Sequence, residues 1–213
     1  MNMDKPEERK AWMPYVNAVI SLCAIGQEVG YFVMNPKMHY RMWGRMRGFL
    51  KQQDIHDKEK LAATIEWFLE TGRRSEYYRD YCQLSTLSAN ERSRYIELLT
   101  DERRKRQFMV VNRYLWSLST AGIGAYDYSW TMLNCFAGKE AGYLSENEMW
   151  DYIGQVISSI KADFSDWETY VTSYAAGQQY FPQESSLNFV SRNRKIIMQM
   201  MNSNQNPMHQ LKL

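Results

Sequence analysis

"GIGAYDYSWTMLNCFAGKEAGYLSENEMW", residues 122–150, holds the reading on which the fold turns. Apolar and aromatic residues dominate it, yet Asp127 and Asn134 sit among them with Gly122, Gly124, Gly138 and Gly142. A helix starts near Gly124 or Ala125 and ends at "AG", where Gly142 supplies a left-handed closing residue without a Cβ penalty. Tyr143 and Leu144 turn the corner, and Ser145-x-x-Glu148 opens the next helix. In that capping box the serine oxygen accepts from the third helical amide while the glutamate reaches back to the serine amide. Asp127 then lies in a first helical turn, where the helix dipole favours a carboxylate. Asp127, Thr131, Asn134 and Gly138 recur at i, i+4, i+7 and i+11, one stripe of polar or small residues. Such a stripe either lines a cleft, with Asp127 as a base and Asn134 positioning a substrate, or lets a neighbouring helix pack closely. The structural reading is favoured, since acid–base chemistry usually needs a second titratable group. A phosphate loop is excluded. "GIGAYD" places Asp127 where the third glycine belongs, and no apolar strand precedes it.

The same helical grammar extends outward. Ser88…Glu91 and Ser165…Glu168 repeat the capping box, each ahead of an apolar run: Tyr95/Leu98/Leu99 in one case, Trp167/Tyr170/Val171/Tyr174 in the other. Asp57 is the N-cap of a helix with Leu61, Ile65, Phe68 and Leu69 inward, closed by Gly72 as the residue after the cap. A short helix, "RSEYYRDYC", follows. Thr100 divides the region 89–118, and its second half buries Phe108, Val111, Leu115 and Leu118. An amino-terminal helix is expected over about 7–32, with Gly26 and Gly30 offering close approach, stopped by Asn35-Pro36. Another is expected over about 37–51. Strand alternation is nearly absent. The expectation is an all-α fold: one compact domain of roughly seven to nine helices over 1–181, then a basic methionine-rich helix and frayed tail over 182–213.

Composition narrows the classes. The 213 residues carry 26 basic and 24 acidic side chains, a net charge of +2, too balanced to argue for nucleic acid by bulk charge. Hydrophobic residues make up 45%, enough for a real core. The amino terminus is charged and has no apolar leader segment, and the longest apolar run, "AVISLCAI", is far short of the ~20 residues of a membrane span. A cytoplasmic protein with no membrane contact is expected. Three separated cysteines, Cys23, Cys82 and Cys135, read as buried thiols of a reducing compartment. His39, His56 and His209 are isolated, so no metal and no cofactor is expected. Two basic clusters remain. "RRKR" (103–106) follows two acids and reads as a solvated face, whereas Arg192, Arg194 and Lys195 sit in the methionine-rich segment, a candidate partner-binding surface.

The stretch "AYDYSWTMLNCFAGKEAGYLSENEMW", with "IHDKEKLAATIEWFLETGRRSEY" upstream and "FSDWETYVTSYAAGQQYF" downstream, resembles a bacterial family catalogued as domain of unknown function 1266. The resemblance covers about 40–181. The family pattern has Trp where Tyr126 stands, and arginines where Trp130, Phe136 and Gln178 stand. The resemblance therefore implies that Asp127 has lost its arginine three residues on, leaving Arg73, Arg74, Arg113 or Lys139 as replacement partners. It implies no activity.

The function expected is a non-enzymatic helical interaction module, such as an adaptor, regulator or toxin-neutralising partner, with another protein as its ligand. The aromatic and methionine content supplies contact anchors. The alternative is an enzyme, a hydrolase or nucleic-acid-processing activity, using Asp127 as base with Asn134. Nucleic-acid binding through the basic clusters ranks below both.

Overall fold

The structure, a computed structural model, describes residues 5–23, 46–182, 202 and 207–213. In chain order the helices are α1 (Lys5–Cys23), α2 (Met46–Gln52), α3 (Lys58–Glu70), α4 (Arg74–Ser85), α5 (Ala89–Glu97), α6 (Glu102–Tyr114), α7 (Gly124–Ala141), α8 (Glu146–Asp163) and α9 (Trp167–Tyr180). A 3₁₀ turn spans Pro207–Gln210, and no strand occurs among the described residues. No helix among them is long and apolar enough to cross a membrane.

α7 is the axis of the fold. Fifteen of its 18 residues are buried, so it has no solvent face and must be packed on all sides. α1, α2, α3, α8 and α9 surround it. Its residues form one apolar core with Leu61 and Ile65 of α3, Ile153 and Ile157 of α8, and Tyr170 and Tyr174 of α9. A second core lies beside the first, where Tyr77 and Leu84 of α4 meet Ile96, Phe108, Val111 and Leu115, with Tyr180 of α9. Small residues set the spacing. A Cβ on Gly177 of α9 would overlap the Tyr126 Cβ of α7, so these two helices touch backbone to side-chain base.

The local punctuation is largely as expected. Asp57 accepts from the Lys60 amide, and Gly142 is left-handed at φ 77°. Both capping boxes, Ser88 with Glu91 and Ser145 with Glu148, are formed. The division at Thr100 falls between α5 and α6, with Asp101 capping the latter. Three expectations are corrected. Ser165 and Glu168 do not form a box: Asp166 is the N-cap and accepts from the Thr169 amide, while Ser165 donates to Asp166. The carboxylate is the stronger acceptor, and Trp167 is buried at the first position of the helix. Leu98 is exposed, because the short α5 buries Ile96 instead. Cys82 is exposed on α4, whereas Cys135 is a core thiol whose titration burial pushes far up. His39, Gly26, Gly30, Asn35-Pro36 and the cluster Arg192, Arg194 and Lys195 lie outside the described residues, as does the side chain of Cys23.

Two glycine substitutions separate packing from propensity. Gly177→Ala is expected to destabilise the fold by about 1–3 kcal/mol through overpacking against Tyr126. Gly48→Ala, in α2 with open space around its Cβ, is expected to stabilise by ~0.5–1 kcal/mol. Urea unfolding of the two variants checks both signs.

Candidate functional site

Asp127 is fully buried, and its carboxylate points away from its own helix. Oδ1 accepts from the Arg73 amide at 3.0 Å and Oδ2 from the Arg74 amide at 2.9 Å. These amides open α4, so an acid on α7 caps a helix 53 residues away in sequence. Arg74 answers in kind. Its guanidinium donates to the Phe68 carbonyl at 2.7 Å and the Leu69 carbonyl at 2.5 Å, closing the end of α3, and lies 3.4 Å from Asp127 Oδ2. Gly72, at φ 62°, makes the turn between the two helices, and any Cβ there would strike the Asp127 carboxylate. Of the four cations considered for Asp127, Arg74 is therefore the partner. Arg73 contributes its amide and sets its guanidinium over the Tyr126 and Phe181 rings. Arg113 instead donates to Gln179, and Lys139 pairs with Glu140.

Burial pushes the Asp127 carboxyl up from 3.8 to about 6, against the opposing pull of Arg74 and Arg73. That value suits a base, but the geometry does not: both oxygens are engaged and no part of the side chain is exposed. Asn134 is buried two stripe positions further on, where its Oδ1 accepts from Gln53. Thr131 donates to the Asp127 carbonyl, completing the stripe as a packing surface. Among the described residues no group of three or more His, Cys, Asp or Glu is placed to hold a metal ion.

A second polar cluster fixes α4 from its other side. Asp80 accepts from Arg104 at 2.6 Å and from the Tyr180 hydroxyl at 2.5 Å, while Gln107 bridges Arg104 to Glu76. Burial and the Asp80 hydrogen bond both hold the Tyr180 hydroxyl protonated. Every acid and base here has a partner, so the cluster joins α4, α6 and α9.

Between these two anchors α4 presents tyrosines to a cleft of about 890 Å³. Tyr77, Tyr78 and Tyr81 come from α4, Tyr114 from the end of α6, and Tyr128 from α7. The end of α3 adds Glu70, the end of α8 adds Asp163, and the segment 118–122 forms the remaining wall. Ser173 holds that segment, donating to the Gly122 carbonyl at 2.7 Å while accepting from the Ala125 amide. Tyr77 is 3% exposed, and its hydroxyl has no hydrogen-bond partner among the described residues. Burial and the neighbouring Tyr114 and Tyr81 keep it protonated. On the wall, Tyr78 stacks on Tyr81 with ring centroids 6.2 Å apart, and Tyr81 meets Trp116, which lies outside the cleft lining, edge-on at 6.4 Å. Tyr78 is 60% and Trp116 72% exposed. The volume lies in the usual range of ligand sites, ~300–1,000 Å³.

Sequence reasoning centred on Asp127 missed this cleft. Its signal was "SEYYRDY", three tyrosines at 77, 78 and 81, a helical face too polar to be wholly buried. Asp127 does serve the cleft, but indirectly, by fixing the helix that carries the tyrosines.

The family described as protein of unknown function (DUF1266) matches residues 50–213, and the chain belongs to that family. No curated protein and no solved structure matches the chain significantly.

Asp127→Asn tests the capping role. The amide side chain turns a donor toward one of the two buried N–H groups and removes the charge facing Arg74. A loss of about 2–4 kcal/mol is expected in denaturant unfolding at neutral pH. The sign of the pH dependence follows from a folded value of about 6 above the ordinary 3.8. The folded state binds more protons across that window, so the carboxyl's contribution is full below 3.8 and is lost as pH rises through about 6. The penalty of Asp127→Asn relative to the parent is therefore expected to shrink from pH 4 to pH 7, read by urea titrations across that range.

Proposed function

For this member of the DUF1266 family we propose a role as a non-enzymatic helical binding module that takes a segment of another protein at the tyrosine cleft. The observation that carries the reading is the aromatic group made by Tyr78 and Tyr81 of the cleft wall with the neighbouring Trp116. Tyr78 and Trp116 are largely exposed yet held in ring contact with Tyr81. Large exposed aromatics are costly to leave in water, and Tyr and Trp are the residues from which protein interfaces draw most of their energy. Tyrosine also loses little side-chain entropy on binding, more so where stacking already restricts it.

The enzyme alternative required Asp127 as an accessible base beside Asn134. Asp127 spends both oxygens on α4 and Arg74, and neither residue lines the cleft. A basic surface for nucleic acid is supported no better. Arg104 of the "RRKR" cluster is committed to Asp80, and the cleft carries two acids that would repel phosphate.

Tyr81→Ala and Trp116→Ala, each made in the full chain at native expression level, are expected to abolish retention of a stoichiometric protein partner. Melting temperatures should stay within a few degrees of the parent. Met109→Ala, which removes an exposed apolar side chain elsewhere, is expected to keep the partner. Quantitative affinity purification of the four proteins decides the matter. Equal retention by all of them, or none by the parent, defeats the reading.

A further inference from the structure

We infer that the cleft is built to receive an arginine side chain of the partner protein, an inference that rests on the binding role proposed above. The walls supply what a guanidinium needs: aromatic faces for stacking, carboxylates for charge, and hydrogen-bond acceptors with no protein donor.

The charge inventory comes first. The ionisable side chains on the wall, apart from tyrosines, are Glu70, Arg74 and Asp163. Arg74 does not act as a free cation. Two of its nitrogens are spent on the carbonyls of Phe68 and Leu69, and its charge is answered by Asp127 at 3.4 Å. Setting Arg74 against Asp127 leaves Glu70 and Asp163 uncompensated, two negative charges facing the same space. Asp163 uses Oδ2 to accept from the Tyr128 hydroxyl at 2.5 Å, which leaves Oδ1 for an incoming donor. An anion entering here would meet both acids, and a neutral apolar group would strand their charge.

The acceptors and rings make the choice of cation. Tyr77 is buried and its hydroxyl has no partner among the described residues, but that atom is closed off from the cleft. The acceptors open to an incoming donor are therefore Asp163 Oδ1 and the Glu70 carboxylate. Tyr114 already accepts from Gln179 at 2.8 Å, so its remaining capacity is shared. A planar guanidinium can donate to Asp163 while lying against a tyrosine face; an ammonium offers no flat surface to stack. The pattern already occurs on this wall, where the Arg74 guanidinium sits 5.4 Å from the Tyr128 ring centre. Tyr78, on the wall and stacked on Tyr81, together with the exposed Trp116 beside Tyr81, offers aromatic surface for residues flanking the arginine, which favours a protein segment.

The experiment uses the full chain and three short fluorescent peptides identical except at the central position: arginine, citrulline and glutamate. Citrulline keeps the planar shape and removes the charge. The arginine peptide is expected to bind at least about tenfold more tightly than the citrulline peptide by fluorescence anisotropy, and the glutamate peptide more weakly still. Glu70→Gln, at an exposed position, is expected to reduce the arginine preference several-fold without altering stability, and Asp163→Asn to weaken arginine binding. Equal affinity for arginine and citrulline overturns the inference, as does tightest binding of glutamate. Competition by free arginine as strongly as by the peptide also overturns it, since the ligand would then be a small molecule. The two levels fail separately. If Trp116→Ala and Tyr81→Ala lose the native partner but no arginine preference exists, the binding role stands and the cationic occupant falls. If those variants keep the partner, both fall.

Discussion

The junction between α3 and α4 is an exchange of hydrogen bonds through one buried ion pair, and the placement of the rest follows from it. Two helices meeting across a three-residue turn leave unpaired carbonyls on one side and unpaired amides on the other. Asp127 takes the amides of Arg73 and Arg74, and Arg74 takes the carbonyls of Phe68 and Leu69. Each charge also has the sign its helix end favours: an anion at the start of α4 and a cation at the end of α3. Gly72 permits the approach because it has no Cβ and can adopt the left-handed turn. Burying the two charges is expensive, and only the full set of donors and acceptors offsets that cost.

This junction ties function to the core. Asp127 belongs to the most buried helix, so α4 is registered against α7 and not merely packed near it. Asp80 repeats the device further along α4, receiving Arg104 from α6 and Tyr180 from α9. A helix held by acids at its first turn and its middle cannot rotate without breaking one of them. Its tyrosines therefore face the segment 118–122 in a fixed orientation, and Ser173 fixes that segment in turn. A binding wall prepared in this way loses little conformational freedom when a ligand arrives.

The parts of the fold that could be read from the residues are those governed by short-range rules. Ser88, Ser145 and Asp57 cap through atoms three residues away, and Gly142 closes its helix by its own backbone angle. Ser165 was misread for a related reason: Asp166 beside it is a competing cap, and the pattern alone does not rank two adjacent acceptors. Leu98 and Cys82 fall where a short helix exposes one flank, which depends on the neighbour that covers the other. Long-range chemistry was much less legible. Arg74 was one of four candidates for Asp127, but its amide and that of Arg73, which carry most of the geometry, belong to the backbone and leave no mark in residue type. The tyrosines of α4 were visible as residues, while the cleft they line needs α6, α7 and α8 brought together.

The absence of an arginine at position 130 becomes intelligible in these terms. The family resemblance implies a cation three residues after the acid, on the same helix. In this chain Asp127 draws on donors from α4, so its charge is met without help from its own helix. Position 130 is then free for a side chain chosen by packing, and Trp130 stacks almost parallel on Phe49 at 5.9 Å. Phe136 likewise packs edge-on against Trp150, and Gln178 donates to Tyr174. The substitution is not without residue: Trp130 Nε1, Asn134 Nδ2 and Gln178 Oε1 are buried without partners among the described residues. Around these positions the packing is aromatic, and a few polar atoms are left unmet among the described residues. Asp127 needs no cation at position 130, because its partners come from the start of α4.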